Sequence, residues 1–125
     1  MVNLLSDAVS KGARIAAGGE VSGCQVSPAV LDGVTPEMAI YSEESFGPVV
    51  AITRAEGIDE AVRIANDSEY GLTASVFSRD LVKALAVAER LDTGICHINA
   101  ATTHAEPQLP FGGVKSSGYG RFGGT

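Results

Sequence analysis

Hydrophobic residues recur at helical spacing in three stretches of the chain. The spacing i, i+3, i+4 predicts amphipathic helices, because residues three and four positions apart share one helix face. The predicted helices cover residues 5–12, 58–65 and 81–91. We expect Ser78 to cap the third helix, with Asp80 in its first turn, since an N-terminal turn favours a side-chain acceptor and a negative charge.

Short apolar runs between these helices predict strands. They cover residues 14–17, 28–31, 48–53, 74–77 and 95–99. The run PVVAIT at 48–53 has no polar alternation, which is typical of a strand covered on both faces. Strands that alternate with helices of about ten residues predict βαβ units. We therefore expect an α/β fold with a mainly parallel sheet, in a single domain over residues 1–125 with loops at 20–27 and 100–110.

The charge balance and the lengths of the apolar runs limit which classes of partner we expect the chain to bind. Nine basic and fifteen acidic residues give a net charge of −6, with no basic run. Nucleic-acid binding needs clustered Lys and Arg, so we expect no nucleic-acid partner. No apolar stretch approaches the roughly 18 residues that cross a bilayer, so we expect no membrane partner and a cytoplasmic location. The two cysteines are too few for a disulfide framework.

Cys96 and His97 are adjacent, which raises the possibility of a cysteine–histidine nucleophile. Neighbouring side chains on a strand point to opposite faces, so these two cannot hydrogen-bond to each other directly. We interpret Cys96 as a small buried apolar residue and expect no thiolate at Cys24, which has no basic residue nearby. His97 and His104 have no evident third ligand, so we predict no metal site.

The segment at residues 41–50 combines polar and apolar groups just before a predicted strand. It contains the paired carboxylates Glu43 and Glu44, the aromatic Phe46 and a Gly-Pro pair. One interpretation is a solvated acidic loop whose Phe46 side chain fills the core. The other is a carboxylate that binds a sugar diol beside an aromatic that packs against a flat ring, as a nucleotide cofactor requires.

Four blocks of the sequence resemble aldehyde dehydrogenases, in the family's order. They are EESFGPV (43–49), ANDSEYGL (65–72), ASVFSRD (74–80), and PFGGVK with SGYGR (110–121). On these residues the chain is identified as a member of that family and as the late part of its catalytic domain. The strand ICHIN (95–99), the start YSEES and the end YGRFGG are similar to bacterial aromatic aldehyde dehydrogenases of the salicylaldehyde and vanillin type.

The resemblance implies roles for four residues. Glu44 would accept hydrogen bonds from the nicotinamide ribose hydroxyls of NAD or NADP, and Phe46 would pack against the nicotinamide end. Phe111 would line the entry path of a small-molecule aldehyde, with the loop 100–109 shaping that pocket. Asn99 would be structural. The family reaction is oxidation of an aldehyde to a carboxylic acid through a cysteine thiolate.

Nothing in the sequence resembles the family's cysteine block, general-base glutamate or oxyanion asparagine. We therefore assign no catalytic residue and predict a fragment that is inactive alone and binds NAD or NADP weakly or not at all. Its partner would be the remainder of the same polypeptide. Uncovered sheet edges also predict a homo-oligomer. The alternative function is a free-standing, non-catalytic α/β module that binds a ligand or self-associates.

Overall fold

The computed structural model describes residues 1–123, which divide into two packing units. The first unit is Met1–Arg54 and the second begins at Ala55. The single domain over residues 1–125 remains a prediction. Each of the two units has its own internal packing. Among the described residues, no helix combines the length and apolar character needed to span a membrane.

The first unit is built around a three-stranded sheet. Its strand β4 lies in the middle, antiparallel to β1 and parallel to β5. A short antiparallel hairpin of β2 and β3 connects β1 to β4. The elements in chain order are α1 (Val2–Ser10), β1 (Arg14–Gly18), β2 (Val21–Ser22), β3 (Gln25–Val26), β4 (Ala29–Asp32), α2 (Ala39–Ser42) and β5 (Val49–Ile52).

The core of the first unit is apolar and continuous. Leu5 and Ala8 of α1 lie on the buried face of the helix, where the i, i+3 spacing places them. Leu31 in the central strand and Met38 before α2 are the largest side chains that are fully buried. The core comprises Leu5, Ala8, Ala13, Ala29, Leu31, Val34, Met38 and Ile40.

The second unit contains one complete βαβ arrangement. Strands β7 and β8 pair in parallel, with Thr73 opposite Ile95, and helix α4 connects them. A separate antiparallel pair joins β6 to β9. The elements are α3 (Ile58–Asn66), β6 (Tyr70–Gly71), β7 (Thr73–Val76), α4 (Leu81–Ala88), β8 (Ile95–Ile98) and β9 (Val114–Lys115).

The α/β class is confirmed, and helices α1, α3 and α4 and the longer strands lie where the hydrophobic pattern predicts them, whereas the short helix α2 was not predicted. The pairing is more mixed than predicted, because parallel pairs occur only at β4–β5 and β7–β8 among the described residues. The hairpin of β2 and β3 occupies the predicted loop 20–27. Strand β5 does not have both faces covered within the described chain, since Val50 is 59% and Ile52 is 41% exposed.

The predicted cap of the α4 helix is wrong by two residues. Asp80 is the N-cap, and its Oδ1 accepts a hydrogen bond from the Lys83 backbone N–H at 3.1 Å. Ser78 lies two residues earlier, where its hydroxyl accepts from the Asp80 N–H at 3.1 Å. Both side chains therefore order the entry to the helix. A carboxylate is favoured at the cap because it also faces the positive end of the helix dipole.

Candidate functional site

The connection between α2 and β5 carries the two residues predicted to contact a cofactor. Glu43 ends α2, and its backbone N–H donates to the Ala39 carbonyl at 2.9 Å. At the other end, the Pro48 carbonyl accepts from the Ala29 N–H at 2.8 Å, and the Val49 N–H donates to the Gly47 carbonyl at 2.8 Å. The connection is therefore anchored to the helix and to the sheet at its two ends.

Phe46 stands at the middle of this connection with its ring in solvent. The side chain is 92% exposed, so the interpretation that it fills the core is wrong. Its backbone φ of 44° lies in the left-handed region, which costs a residue with a Cβ atom about 1–2 kcal/mol. Strained conformations persist where the surrounding structure fixes them, often at ligand sites. Glu44, two residues earlier, is also exposed.

In the second unit, Phe111 packs against Phe122. The two ring centroids lie 5.4 Å apart with the planes inclined at 58°. The backbones of the two residues also exchange hydrogen bonds, of 2.8 Å from the Phe111 N–H and 3.0 Å from the Phe122 N–H. This double contact closes the segment between them into a loop. It fixes the orientation of Phe111, which is partly buried.

Two cavities share Phe111 as a wall. The first, of about 330 Å³, is mostly apolar and is completed by residues 105–107, Leu109, Phe122 and Gly123. The second, of about 280 Å³, extends toward β8 and reaches Ile95 and His97. Because the loop 100–110 contributes to both cavities, its conformation determines their shape.

The loop 100–110 has its own internal hydrogen bonds on the side that faces the second cavity. The Nε2 of His104 lies 2.7 Å from Oε1 of Glu106. The Leu109 N–H donates to the Glu106 carbonyl at 3.0 Å. A histidine and a carboxylate therefore form a polar pair on the wall of a cavity that is also lined by Ile95 and Phe111.

Neither cysteine is arranged as a nucleophile. Cys96 is partly buried in β8, and burial raises the pKa of its thiol, which disfavours the thiolate. His97 lines the second cavity together with Ile95, as expected for residues that share one face of a strand. Cys24 is exposed in the turn between β2 and β3.

Asn99, for which we predict a structural role, is bonded to the backbone of Ser78. Its backbone φ of 55° lies in the left-handed region, which asparagine tolerates better than most residues. The side-chain amide donates to the Ser78 carbonyl at 3.0 Å and accepts from the Ser78 N–H at 2.9 Å. These two bonds join the segments that follow the parallel strands β7 and β8.

Comparison with known proteins identifies the family. The model of the aldehyde dehydrogenase family matches residues 1–125, which is the whole chain. The chain belongs to the aldehyde dehydrogenase family. Vanillin dehydrogenase of Pseudomonas fluorescens is 57% identical over 121 residues, which cover 97% of this chain and 25% of that protein. Salicylaldehyde dehydrogenase of Pseudomonas putida is 48% identical over 121 residues, with the same two coverages.

Solved structures of family members have the same fold over this region. The salicylaldehyde dehydrogenase from Pseudomonas putida G7, complexed with salicylaldehyde, matches with a TM-score of 0.93 and 47% identity over 98% of this chain and 25% of that one. The NADP-dependent glyceraldehyde-3-phosphate dehydrogenase from Bacillus halodurans C-125, complexed with NADP, matches with a TM-score of 0.92 and 42% identity over 97% and 25%. The aldehyde dehydrogenase chain described here spans about a quarter of these relatives.

The three predicted site residues of this aldehyde dehydrogenase segment fall in different units. Glu44 and Phe46 share the connection before β5 in the first unit, and Phe111 lies in the second. Their roles remain predictions. His97 lines a cavity, although from the sequence we weigh it only as a partner for Cys96 or as a metal ligand. The sequence signal for its place in the cavity is the two-residue spacing of Ile95 and His97, which puts both side chains on one face of a strand that leads into the loop 100–110.

Proposed function

We propose that this chain is part of an NAD(P)-dependent aldehyde dehydrogenase that oxidises aromatic aldehydes to carboxylic acids. The observation that carries the proposal is the similarity of nearly the whole chain to vanillin and salicylaldehyde dehydrogenases, at 57% and 48% identity. One similar solved structure is complexed with salicylaldehyde and another with NADP. The segment would contribute a cofactor contact and part of the substrate pocket.

The cofactor contact would be made by Glu44 and Phe46. A carboxylate can accept hydrogen bonds from two vicinal hydroxyls at once, and such charge-assisted bonds are short and strong. Glu44 is exposed, and the ring of Phe46 stands in solvent two residues away, available for a flat ligand ring. NAD and NADP share the nicotinamide ribose, so these residues would bind either cofactor equally.

The substrate contact would be made by Phe111. Its ring forms a wall of two cavities of about 330 and 280 Å³. A closed apolar cavity of about 150 Å³ already holds benzene, so a substituted aromatic ring fits either volume. The fixed packing of Phe111 on Phe122, at 5.4 Å between ring centroids, would keep this wall in place.

Aldehyde oxidation needs an oxidant and a thiolate nucleophile, and Glu44, Phe46 and Phe111 provide neither. When bound, NAD(P) supplies the oxidant that accepts a hydride from the substrate. The thiolate that attacks the aldehyde is not expected from Cys96, because burial raises its thiol pKa. We infer that these 125 residues alone do not oxidise aldehydes, and that the nucleophile comes from the rest of the enzyme polypeptide.

The cofactor assignment is tested by Glu44→Gln in the full-length enzyme. Glutamine keeps the shape but removes the charge, and a hydrogen bond to a charged group contributes about 1.5–3 kcal/mol. We expect the KM for NAD(P) to rise by about tenfold or more. The control is Glu43→Gln, which removes the adjacent exposed carboxylate. Equal effects of the two substitutions would contradict the assignment.

The inactivity of the segment is tested with the chain itself. We expect no sustained NADH or NADPH formation when the purified 125-residue chain is incubated with vanillin and either cofactor. The full-length enzyme is the positive control under the same conditions. Turnover by the short chain that persists after Cys24 and Cys96 are both replaced by serine would show that another group acts as the nucleophile.

We also propose that the 125-residue chain self-associates. Val50 and Ile52 on β5 are both more than two-fifths exposed and share one face of the strand. Exposed apolar strands favour association with another chain. Light scattering on the 125-residue chain should give a mass above that of a monomer, and the double variant Val50→Lys and Ile52→Lys should lower it. A monomer at all concentrations would contradict this proposal.

A further inference from the structure

Helix α2 is too short to hold its own position. It has a single turn, Ala39–Ser42, and a helix of that length is not stable in water without outside contacts. The first N–H groups of a helix have no partner within it. The residue at the cap position is Met38, whose side chain is fully buried and makes no cap hydrogen bond. An acceptor from another part of the chain is therefore needed at this end of α2.

Asp7 of helix α1 supplies that acceptor. Its Oδ2 accepts a hydrogen bond from the Ala39 N–H at 2.8 Å, across 32 residues of chain. A carboxylate at the start of a helix also faces the positive end of the helix dipole. Asp7 thus performs, from a different helix, the capping role that the buried Met38 side chain leaves open.

Lys11 holds the Asp7 carboxylate in place. One turn further along α1, its Nζ lies 2.7 Å from Asp7 Oδ1 and donates to the Glu37 carbonyl at 2.7 Å. The two oxygens of Asp7 therefore have separate partners, Lys11 for Oδ1 and Ala39 for Oδ2. The hydrogen bond from Lys11, and then that from Ala39, hold the pKa of Asp7 below its ordinary value of 3.8. The side chain is therefore a carboxylate at neutral pH.

Ala39 connects this contact to the segment that carries Glu44. Its N–H is bonded to Asp7, and its carbonyl accepts from the Glu43 N–H at 2.9 Å. Glu44 is the next residue along the chain. A displacement of Ala39 would therefore move the backbone from which the Glu44 carboxylate projects.

We propose that Asp7 is a positioning residue for the cofactor contact, because it fixes the start of α2 and through it the backbone at Glu44. This proposal rests on the proposed function and adds the residue that keeps its cofactor carboxylate in place. A carboxylate that accepts from two vicinal hydroxyls at once must be held accurately. A displacement on the order of 1 Å is enough to weaken such a contact.

Substitution of Asp7 in the full-length enzyme tests the proposal. Asp7→Ala removes both acceptor oxygens, and we expect the KM for NAD(P) to rise about threefold to tenfold, as for partial loss of a charge-assisted hydrogen bond. The KM for vanillin should stay at the wild-type value. Asp7→Asn keeps an acceptor oxygen for the Ala39 N–H and should restore most of the cofactor affinity. Lys11→Met leaves Asp7 without its support and should raise the same KM by less.

The matched control is Asp80→Ala, which removes the capping carboxylate of α4 in the second unit. It also costs helix stability, but it should leave the KM for NAD(P) at the wild-type value. A merely structural role for Asp7 would lower the amount of active enzyme in the same way and leave that KM unchanged. Equal KM values for Asp7→Ala and Asp80→Ala would therefore overturn the proposal.

The double variant Asp7→Ala with Glu44→Gln shows whether Asp7 acts through Glu44. We expect its KM for NAD(P) to match that of Glu44→Gln alone, because a contact that has already lost its charge loses little more from a shift in position. Groups that act independently would instead multiply their effects on KM. Multiplied effects would thus contradict a role through Glu44.

Hydrogen exchange in the full-length enzyme separates this proposal from the proposed function, because it needs neither cofactor nor turnover. The amides of residues 39–46 should exchange faster in Asp7→Ala and at the wild-type rate in Asp80→Ala. Unchanged exchange in Asp7→Ala would overturn the positioning role alone, as would an unchanged KM for NAD(P) where Glu44→Gln raises it. If Glu44→Gln itself leaves that KM unchanged, the proposed cofactor contact is wrong, and the positioning role with it.

Discussion

The two packing units of this chain are stabilised by different means. Eight of the ten buried hydrophobic residues lie before Arg54 and form one apolar core. Beyond Ala55, only Val62 and Ala84 are buried hydrophobic residues among the described positions. There, side-chain hydrogen bonds to backbone groups connect distant segments. The residue Lys115 is the clearest example, since its Nζ donates to the carbonyls of Asn66 at 2.8 Å and Ser68 at 3.0 Å.

This difference indicates what each unit tolerates. Apolar burial is non-directional, so a core keeps its energy when side chains shift slightly. Hydrogen bonds to carbonyls depend on distance and angle, so they fix geometry more than they add stability. The second unit, which contains the two cavities and the loop 100–110, therefore relies on contacts that hold its backbone segments in defined positions. The first unit supplies a firm base for an exposed connection that carries Glu44 and Phe46.

The largest effect is expected from Leu31→Ala. Leu31 is fully buried in the central strand β4, and truncation of a buried leucine costs about 2–5 kcal/mol. The matched control is Leu85→Ala in α4, where the side chain is 49% exposed and the expected cost is about 1 kcal/mol or less. Urea unfolding of both variants measures the difference. Equal losses would break the comparison between a packed unit and a hydrogen-bonded one.

An intermediate effect is expected from Lys115→Met. Methionine keeps the length and apolar stem but removes the two hydrogen bonds to carbonyls, which contribute about 1–3 kcal/mol in total. Lys83→Met is the control, because the Lys83 side chain makes a surface ion pair with Asp80 at 3.7 Å and is 70% exposed. Hydrogen exchange should show faster opening at Gly71 and Ser116 in the first variant only. Unchanged exchange in both would remove Lys115 as a stabilising contact.

The smallest effect concerns acid stability of the first unit. Hydrogen bonds from Arg54 and then from Arg14 hold the pKa of Asp32 below its ordinary value of 3.8. The folded pKa is the lower one, so this contribution is complete above pH 3.8 and is lost as the pH falls further toward the folded value. Asp32→Asn should therefore flatten the loss of stability in that acid range.

The control for Asp32 is Asp59→Asn in the second unit. Asp59 pairs with Arg90 at 2.7 Å but is 93% exposed, and such pairs contribute little. Unfolding midpoints measured at neutral pH and below pH 3.8 compare the two variants with the wild type. An acid limb that is the same in Asp32→Asn and the wild type would show that the two arginines do not stabilise the carboxylate.

The hydrophobic pattern predicts the longer elements well, because burial of one face governs where a helix or strand forms. Helices α1, α3 and α4 follow the 3.6-residue period, and β4 and β8 follow short apolar runs. The two-residue strands β6 and β9 were missed. Their pairing joins Tyr70 to Lys115 across 45 residues of chain, and no local pattern of two residues specifies so distant a partner.

The candidate site was only partly accessible from the sequence. Motifs bring out Glu44, Phe46 and Phe111, since each stands in a short block of distinctive composition. The sequence leaves two interpretations of Phe46 open, because an aromatic beside a Gly-Pro pair fits a core position as well as a ligand contact, and only its 92% exposure excludes the core position. His97 becomes a candidate only when the loop 104–111 is seen to close a cavity over one face of β8.

Four glycines in the second unit stand where a methyl group has no room. A Cβ atom on Gly94 would collide with the Gly112 carbonyl, one on Gly71 with the Asp92 carbonyl, one on Gly112 with the Gly120 carbonyl, and one on Gly113 with Ser117. At these positions one backbone segment therefore packs directly against another. Alanine at Gly94 should displace the segment that begins with Gly112 and change the shape of the cavity that has Phe111 as a wall. A single hydrogen-to-methyl exchange is thus enough to remodel this part of the molecule.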